Sequence, residues 1–279
     1  VLALRDRGER VVVVDNLSTG CAGAVPADVA LLQGNVGDQA FLRHAISAHG
    51  VETIAHFAAS IVVPESVRDP IGYYANNTGN MIALLGAAAA ESVRHIVFSS
   101  TAAVYGTPAT DRVDEDSPTH PESPYGASKL MSERILEDAA AAHGFRYAIL
   151  RYFNVAGADP QGRAGQSFQN ATHLIKVCVQ AALGRRPLVQ VFGTDYPTKD
   201  GSGMRDYIHV SDLISAHVLA LDHLRGGGDS LRVNCGYGAG FSVLEVIAAV
   251  SRVGGVVVEV GLARGRPGDP ASCVAAAQT

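Results

Sequence analysis

Arg10-Val11-Val12-Val13-Val14-Asp15-Asn16 sets four valines in a row and closes them with an acid and an amide. Consecutive β-branched residues leave no polar face, so Val11 to Val14 reads as a strand buried on both sides, as in parallel sheets covered by helices. The pattern repeats outward from there. Asp38 to His49 reads as a helix, Thr53 to Ala58 as a strand, Asn80 to Ala90 as a helix and His95 to Ser99 as a strand. Tyr125 to Ala142 then reads as a long helix, and Arg146 to Phe153 as a strand running into Asn154. Strands alternating with helices in this way predict βαβ units. Beyond residue 154 the alternation loosens. Helices are expected over Thr172 to Leu183 and Ser211 to Leu224, and strands over Leu188 to Phe192 and Leu231 to Cys235, between loops rich in Gly, Pro and Asp.

The predicted fold class is therefore α/β: a doubly wound (Rossmann-like) parallel sheet over residues 1–153 and a smaller C-terminal substrate-binding α/β unit over 154–279, with a segment near 205–222 returning to the first. A chain of 279 residues, 47% of them hydrophobic, can bury such a core. Its net charge of −5, with mixed signs and no basic block, argues against a nucleic-acid partner and for small molecules. No apolar run approaches the ~20 residues of a membrane span and no signal-peptide pattern occurs, so a cytoplasmic location without a membrane partner is expected. Cys21, Cys178, Cys235 and Cys273 are scattered without a CxxC, and no histidines fall at a ligand spacing, so neither disulfides nor a metal is expected.

Val1 to Gly8 reads as the tail of an amphipathic helix closed by a glycine. In a dinucleotide fold, an acid such as Asp15 lies about 20 residues after a Gly-rich phosphate turn. The first strand and that turn are thus expected to be missing ahead of Val1. Gly236-Tyr237-Gly238-Ala239-Gly240 imitates such a turn, but its GxGxG spacing points to an ordinary turn, with Ser242 as the N-cap of the next helix.

Ser123-Pro124-Tyr125-Gly126-Ala127-Ser128-Lys129 carries the chemistry. A phenol and an amine four residues apart share one helix face, and a fixed cation beside a phenol favours its charged form over the ordinary pKa of ~10. Tyr125 could then take a proton from an alcohol. Ser100 and Thr101 follow the strand His95 to Ser99 and fall at the carboxyl edge of a parallel sheet, where open α/β folds bind ligands. A hydroxyl to hold an alcohol, a tyrosine to deprotonate it and a lysine to stabilise the phenolate form a set for oxidation by hydride transfer. Asp15 would accept hydrogen bonds from adenosine ribose hydroxyls and repel the extra phosphate of NADP, so NAD is the expected cofactor.

Longer matches surround these residues: Val14-Asp15-Asn16-Leu17-Ser18-Thr19-Gly20, His56-Phe57-Ala58-Ala59, Tyr73-Tyr74-Ala75-Asn76-Asn77, Leu150-Arg151-Tyr152-Phe153-Asn154, Asp195-Tyr196-Pro197 and Arg205-Asp206-Tyr207-Ile208-His209-Val210. Through them the chain resembles, along essentially its whole length, the extended short-chain dehydrogenases/reductases, and among them the UDP-glucose 4-epimerases. The resemblance implies inversion at C4 of a UDP-hexose, interconverting UDP-galactose and UDP-glucose through transient oxidation by tightly bound NAD and a 4-keto intermediate. It implies Thr101, Tyr125 and Lys129 as catalytic residues. Around NAD it implies Asp15, Asn16, Asn35, Val36, Phe57, Ala58, Ala59, Asn76, Ser99 and Phe153, together with Tyr125 and Lys129. Around the UDP-sugar it implies Asn154, His173, Arg205, Arg266, Asp269 and Cys273, together with Thr101 and Tyr125. Guanidinium forks at Arg205 and Arg266 suit a pyrophosphate. A homodimer through the helices Asn80 to Ala90 and Tyr125 to Ala142 is implied by analogy.

The chain departs from the family at four positions. Asn35 stands where an aspartate is usual beside the adenine, Ile61 where some members have a lysine, and Lys176 where proline is common. Cys273 occupies a position that varies between a bulky tyrosine and a small residue that makes room for N-acetylated sugars, so turnover of UDP-N-acetylglucosamine is also expected. A UDP-pentose 4-epimerase, a decarboxylase and a dehydratase of the same fold are alternatives, the last disfavoured by Ala102-Ala103, where a dehydratase needs acids. The family also continues beyond Thr279. Shortened at both ends on this reading, the chain by itself is expected neither to retain NAD nor to epimerise.

Overall fold

The computed structural model describes residues 1–110, 112–167, 172–266 and 269–276. Its first half runs α1 (Leu2–Asp6), β1 (Val12–Asp15), β2 (Ala30–Gln33), α2 (Gln39–His49), β3 (Thr53–His56), α3 (Val63–Arg68), α4 (Pro70–Tyr73), α5 (Asn80–Ala90), β4 (His95–Thr101), α6 (Pro124–His143) and β5 (Arg146–Tyr152). There follow β6 (Asn154–Ala156), α7 (Leu174–Ala182), β7 (Val189–Phe192), β8 (Met204–His209), α8 (Val210–Arg225), β9 (Leu231–Cys235), β10 (Gly240–Ser242), α9 (Val243–Gly254), β11 (Val260–Ala263) and β12 (Ser272–Cys273).

Strands β3, β4, β5 and β9 form one parallel sheet in that spatial order, and β1 and β2 form a separate parallel pair. Successive side chains of a strand point to opposite faces, which divides β4 between two cores. Ile96 and Phe98 join Leu42 and Ile46 of α2, Leu84 and Leu85 of α5, and Leu136 of α6. Val97 instead joins Leu213, Ala220, Leu221 and Leu224 of α8. Helices therefore cover both faces, and the strands are apolar on both, which makes the sheet doubly wound as predicted.

The caps are local and legible. Asp38 accepts from Phe41 N at 3.0 Å to start α2. Ser123 accepts from Gly126 N at 3.2 Å to start α6, with Pro124 in its first turn, where the missing N–H costs nothing. Gly144, at φ 78°, closes α6 in a left-handed conformation that suits glycine.

A smaller layer follows β5. Strand β8 is central to it, flanked by β6 and β12 in parallel and by β10 antiparallel, while β7 and β11 form a parallel pair. Helices α7 and α9 enclose a core of their own with Cys178, Val189, Val191, Ile247 and Val258. Ser242 caps α9 in a reciprocal box with Glu245, as the turn reading of Gly236 to Gly240 required. No helix among the described residues is long and apolar enough to cross a membrane.

The structure adds the short strands β2, β6, β10, β11 and β12 to those expected, ends β3 at His56 rather than Ala58, and departs from expectation at β4 and β8 for reasons that can be traced. Strand β4 runs to Thr101 rather than Ser99, because Ser100 and Thr101 continue the ladder opposite Arg151 and Tyr152. Strand β8 was not anticipated, since Arg205 and Asp206 break its apolar alternation. Asp206 is nevertheless fully buried, and its carboxylate accepts from the backbone N–H groups of Tyr237, Gly238 and Ala275 at 3.0, 2.8 and 3.2 Å. Those bonds replace the water that a strand acid normally needs.

Candidate active site

The carboxyl ends of the parallel strands collect the chemistry-bearing residues along one edge. Strand β1 ends at Asp15, β2 leads through Gly34 to Asn35, β3 runs into Phe57, β4 ends at Thr101 and β5 runs into Phe153. Asp15 Oδ1 accepts from Leu17 N at 2.7 Å, and Asn16 Oδ1 from Ser18 N at 3.0 Å, so both side chains also brace the turn they begin. Leu17 takes a positive φ of 58° there. Gly20 packs against the acid closely enough that a Cβ would lie 2.7 Å from its carboxylate.

Amides link the next positions. Asn35 Oδ1 accepts from Gly37 N at 2.8 Å and from Asn80 Nδ2 at 3.4 Å, while Asn80 Nδ2 also donates to Asn76 Oδ1 at 3.0 Å. Asn76 in turn donates to Ser60 Oγ at 3.0 Å, so Asn35 and Asn76 belong to one chain of amides. Asn76 lies on a π-type turn, Tyr74–Gly79, between α4 and α5. Its neighbour Asn77 is buried and donates to Ser128 Oγ at 2.9 Å and to the Ser60 carbonyl at 3.0 Å, tying the catalytic helix to the loop after β3. Sequence reasoning missed Ser60, Asn77 and Asn80 as supports. The run of asparagines was the signal, since a local helix gains little from them. Phe57 is exposed, with its ring 5.0 Å from that of His217, and Val36 packs against the α2–α5 core.

Thr101, Tyr125 and Lys129 converge at the end of β4. Thr101 is buried and its Oγ1 accepts from Ala103 N at 3.1 Å, capping a short turn. Lys129 is buried, donates from Nζ to the Ser99 carbonyl at 2.9 Å and lies 4.9 Å from the Phe98 ring centroid. The Ser99 hydroxyl bonds Tyr152. One expectation is corrected here. Lys129 was expected to pull the Tyr125 phenol down, yet burial pushes it up, with the Thr101 hydroxyl acting in the opposite direction. The ammonium is turned to a carbonyl, and desolvation disfavours the phenolate. Burial also lowers Lys129 to about 8, against the upward pull of Glu133.

The predicted substrate residues fall into two groups. Asn154 begins β6 opposite Tyr207, while Arg205 on β8 sits opposite Cys273 on β12 and donates to the Met204 carbonyl at 2.8 Å. Cys273 is buried with Phe153, Ala102 and Val113, and burial pushes its thiol up to about 11. The second group lies farther out. Arg266 Nε donates to Asp269 Oδ2 at 2.9 Å, and its guanidinium stacks 4.3 Å from the Phe192 ring centroid. A cavity of about 580 Å³ opens beside them, lined by Gly193 to Asp195 and Leu262 to Gly265. His173 stands at the N-cap position of α7 without a side-chain capping bond, and its Nδ1 lies 2.7 Å from Gln166 Nε2.

A profile described as the NAD dependent epimerase/dehydratase family matches residues 1–236. The chain belongs to this family. Within it, the chain is 57% identical over 275 residues to the UDP-glucose 4-epimerase of Azospirillum brasilense, a match covering 99% of this chain and 79% of that one. The crystal structure of UDP-glucose 4-epimerase from Brucella ovis in complex with NAD superposes with a TM-score of 0.94 at 42% identity, covering 98% of this chain and 84% of that one. The UDP-Glc/GlcNAc 4-epimerase of Campylobacter jejuni gives a TM-score of 0.83 at 43% identity, covering 99% and 85%.

The residues present fit the family's dinucleotide. A carboxylate at Asp15 suits ribose hydroxyls, and the amides of Asn35 and Asn76 offer donors and acceptors along the same edge. Gly37, where a Cβ would meet Asn80 Oδ1 at 2.3 Å, lets Asn80 approach the turn that Asn35 begins.

Proposed function

We propose that the chain inverts C4 of a UDP-hexose, interconverting UDP-galactose and UDP-glucose by transient oxidation with tightly bound NAD. Carrying this is the convergence of Thr101, Tyr125 and Lys129 on the carboxyl edge of β4, in a chain 57% identical to an enzyme of that activity. NAD, when bound, supplies the hydride acceptor and donor at C4. Tyr125 takes the proton of the sugar 4-hydroxyl and later returns it, while Thr101 holds the oxygen. Lys129, one turn along the same face of α6, supplies the positive charge that favours the phenolate. Asp15, Asn16, Asn35, Val36, Phe57 to Ala59, Asn76, Ser99 and Phe153 hold the cofactor. Asn154 and His173 touch the UDP-sugar, Arg205 and Arg266 its pyrophosphate, and Asp269 the uridine ribose. Tethering by the pyrophosphate lets the 4-keto sugar turn without leaving. Residues 1–153 hold NAD, and 154–279 the UDP-sugar apart from the segment near 205–222. Nothing in the match, which runs through 99% of the chain, supports the expected inactivity.

The test is conversion of UDP-galactose to UDP-glucose by the purified chain, with Tyr125→Phe as control. Absence of conversion by a folded, NAD-loaded chain would sink the assignment. Turnover of UDP-N-acetylglucosamine is a second proposal, favoured by the small Cys273 beside Arg205 and tested in the same assay. Activity on UDP-galactose alone removes it. A cytoplasmic location and a homodimer through α5 and α6 belong to the same proposal, Ile82 and Met131 being exposed on those helices. Light scattering tests the dimer.

A further inference from the structure

One helical turn beyond Lys129, on the same face of α6, lies Glu133. A lysine followed by a glutamate four residues on is ordinarily a solvated surface pair. Here both are buried, with Lys129 at 3% and Glu133 at 2% exposure. Glu133 accepts from Arg151 Nε at 3.0 and 3.2 Å, from a second guanidinium nitrogen of Arg151 and from the Ser100 hydroxyl. Arg151, also 2% exposed, donates onward to Tyr105 Oη at 3.1 Å, and Tyr105 donates to Asn234 Oδ1 at 2.8 Å. The network therefore joins α6, β4, β5 and β9 beneath the site, and Ser100 neighbours Thr101 within it.

Such an arrangement is costly as a stabilising device, because two ions must be desolvated where apolar residues would pack as well. Its contribution lies elsewhere. Lys129, Glu133 and Arg151 together carry one net positive charge, which suits a site that must accommodate one developing negative charge on a phenol. We propose that Glu133, fixed by Arg151 and Ser100, is a positioning residue that keeps buried Lys129 charged. The proposal rests on the assignment of Lys129 to the reaction of the preceding section, but concerns the protonation of Lys129, which is measurable without turnover.

The other titratable groups around the pair are few. His56 of β3 feels the Lys129 charge, while Tyr73 of α4 and Tyr152 of β5 face Tyr125. Glu133 lies one turn from Lys129 on the same buried face of α6, and its negative charge opposes the effect of burial on Lys129. Arg151 acts on Lys129 through the carboxylate it holds.

The chain has three lysines, Lys129, Lys176 and Lys199, so isotope-labelled lysine gives three NMR signals, assignable with Lys176→Arg and Lys199→Arg. In the full chain the side-chain signal of Lys129 should titrate near pH 8. In Glu133→Gln/Arg151→Met, which removes both members of the buried ion pair together and is confirmed as folded by circular dichroism, the midpoint should fall by about one pH unit, a tenfold change. Glu133→Asp, which retains the charge, should stay near the parent. The alkaline limb of kcat should move with the midpoint. An unmoved Lys129 titration in the folded double variant would overturn the proposal and leave the pair purely structural. A shifted titration in a chain that does not epimerise would uphold it and overturn the function instead.

Discussion

The two ends of the candidate site are built by opposite rules. Beneath Tyr125, every charge is buried and paired: Lys129 with the Ser99 carbonyl, and Glu133 with Arg151 and Ser100. At the β7–β11 edge, Arg266 is exposed; among the described residues its hydrogen bond goes to Asp269, three residues on, and its guanidinium rests on the Phe192 ring. Fixed dipoles and charges serve a developing charge because they need no reorganisation when it forms. An exposed pair can open to exchange its partner for a ligand, at small cost. On the proposed assignment, the buried, paired end is where the proton would move, and the exposed, exchangeable end is where the nucleotide would be gripped.

The comparison can be broken most severely at Arg151. Its replacement by alanine strands the Glu133 carboxylate, and urea unfolding should show a loss of about 3–5 kcal/mol. Tyr125→Phe should leave the unfolding curve nearly in place while lowering kcat by about 10²- to 10⁴-fold, the range of a single acid–base group. A next test uses acid. Burial, with the Lys129 charge adding to it, lowers His56 to about 3. The unfolded chain binds this proton below its ordinary 6.5 while the folded chain refuses it, so stability should fall as pH drops from 6.5 towards 3, by on the order of 5 kcal/mol from this residue. His56→Phe should flatten that limb in pH-dependent denaturation. Ser123→Ala, which removes the cap of α6, should cost about 1 kcal/mol. At the exposed end, Arg266→Ala should change stability by less than about 0.5 kcal/mol while raising KM for the UDP-sugar about tenfold.

Legibility in the sequence follows the same division. The helix Asn80–Ala90 and the strand Leu231–Cys235 were readable to the residue, because apolar periodicity reports which face is covered. The end of β4 and all of β8 were not, since Ser100, Thr101, Arg205 and Asp206 are polar residues whose partners come from distant segments. Tyr125, Lys129 and Thr101 were picked out by residue type and spacing, and the structure brings them together. Glu133 was invisible because a glutamate four residues after a lysine looks like any solvated pair, and only its burial reveals the network. The charge balance at Tyr125 was misjudged for a related reason: spacing shows that a cation is near a phenol, but neither where the ammonium points nor how dry the phenol is.

Asp206 gathers amides from Tyr237, Gly238 and Ala275, three points on two segments well separated in sequence. Gly236 permits the approach, since a Cβ there would sit 2.7 Å from the carboxylate. The C-terminal strand cannot lift away without also loosening the turn before β10. Amide hydrogens of both segments should therefore exchange with solvent at one common rate, as a single cooperative unit clasped by one carboxylate.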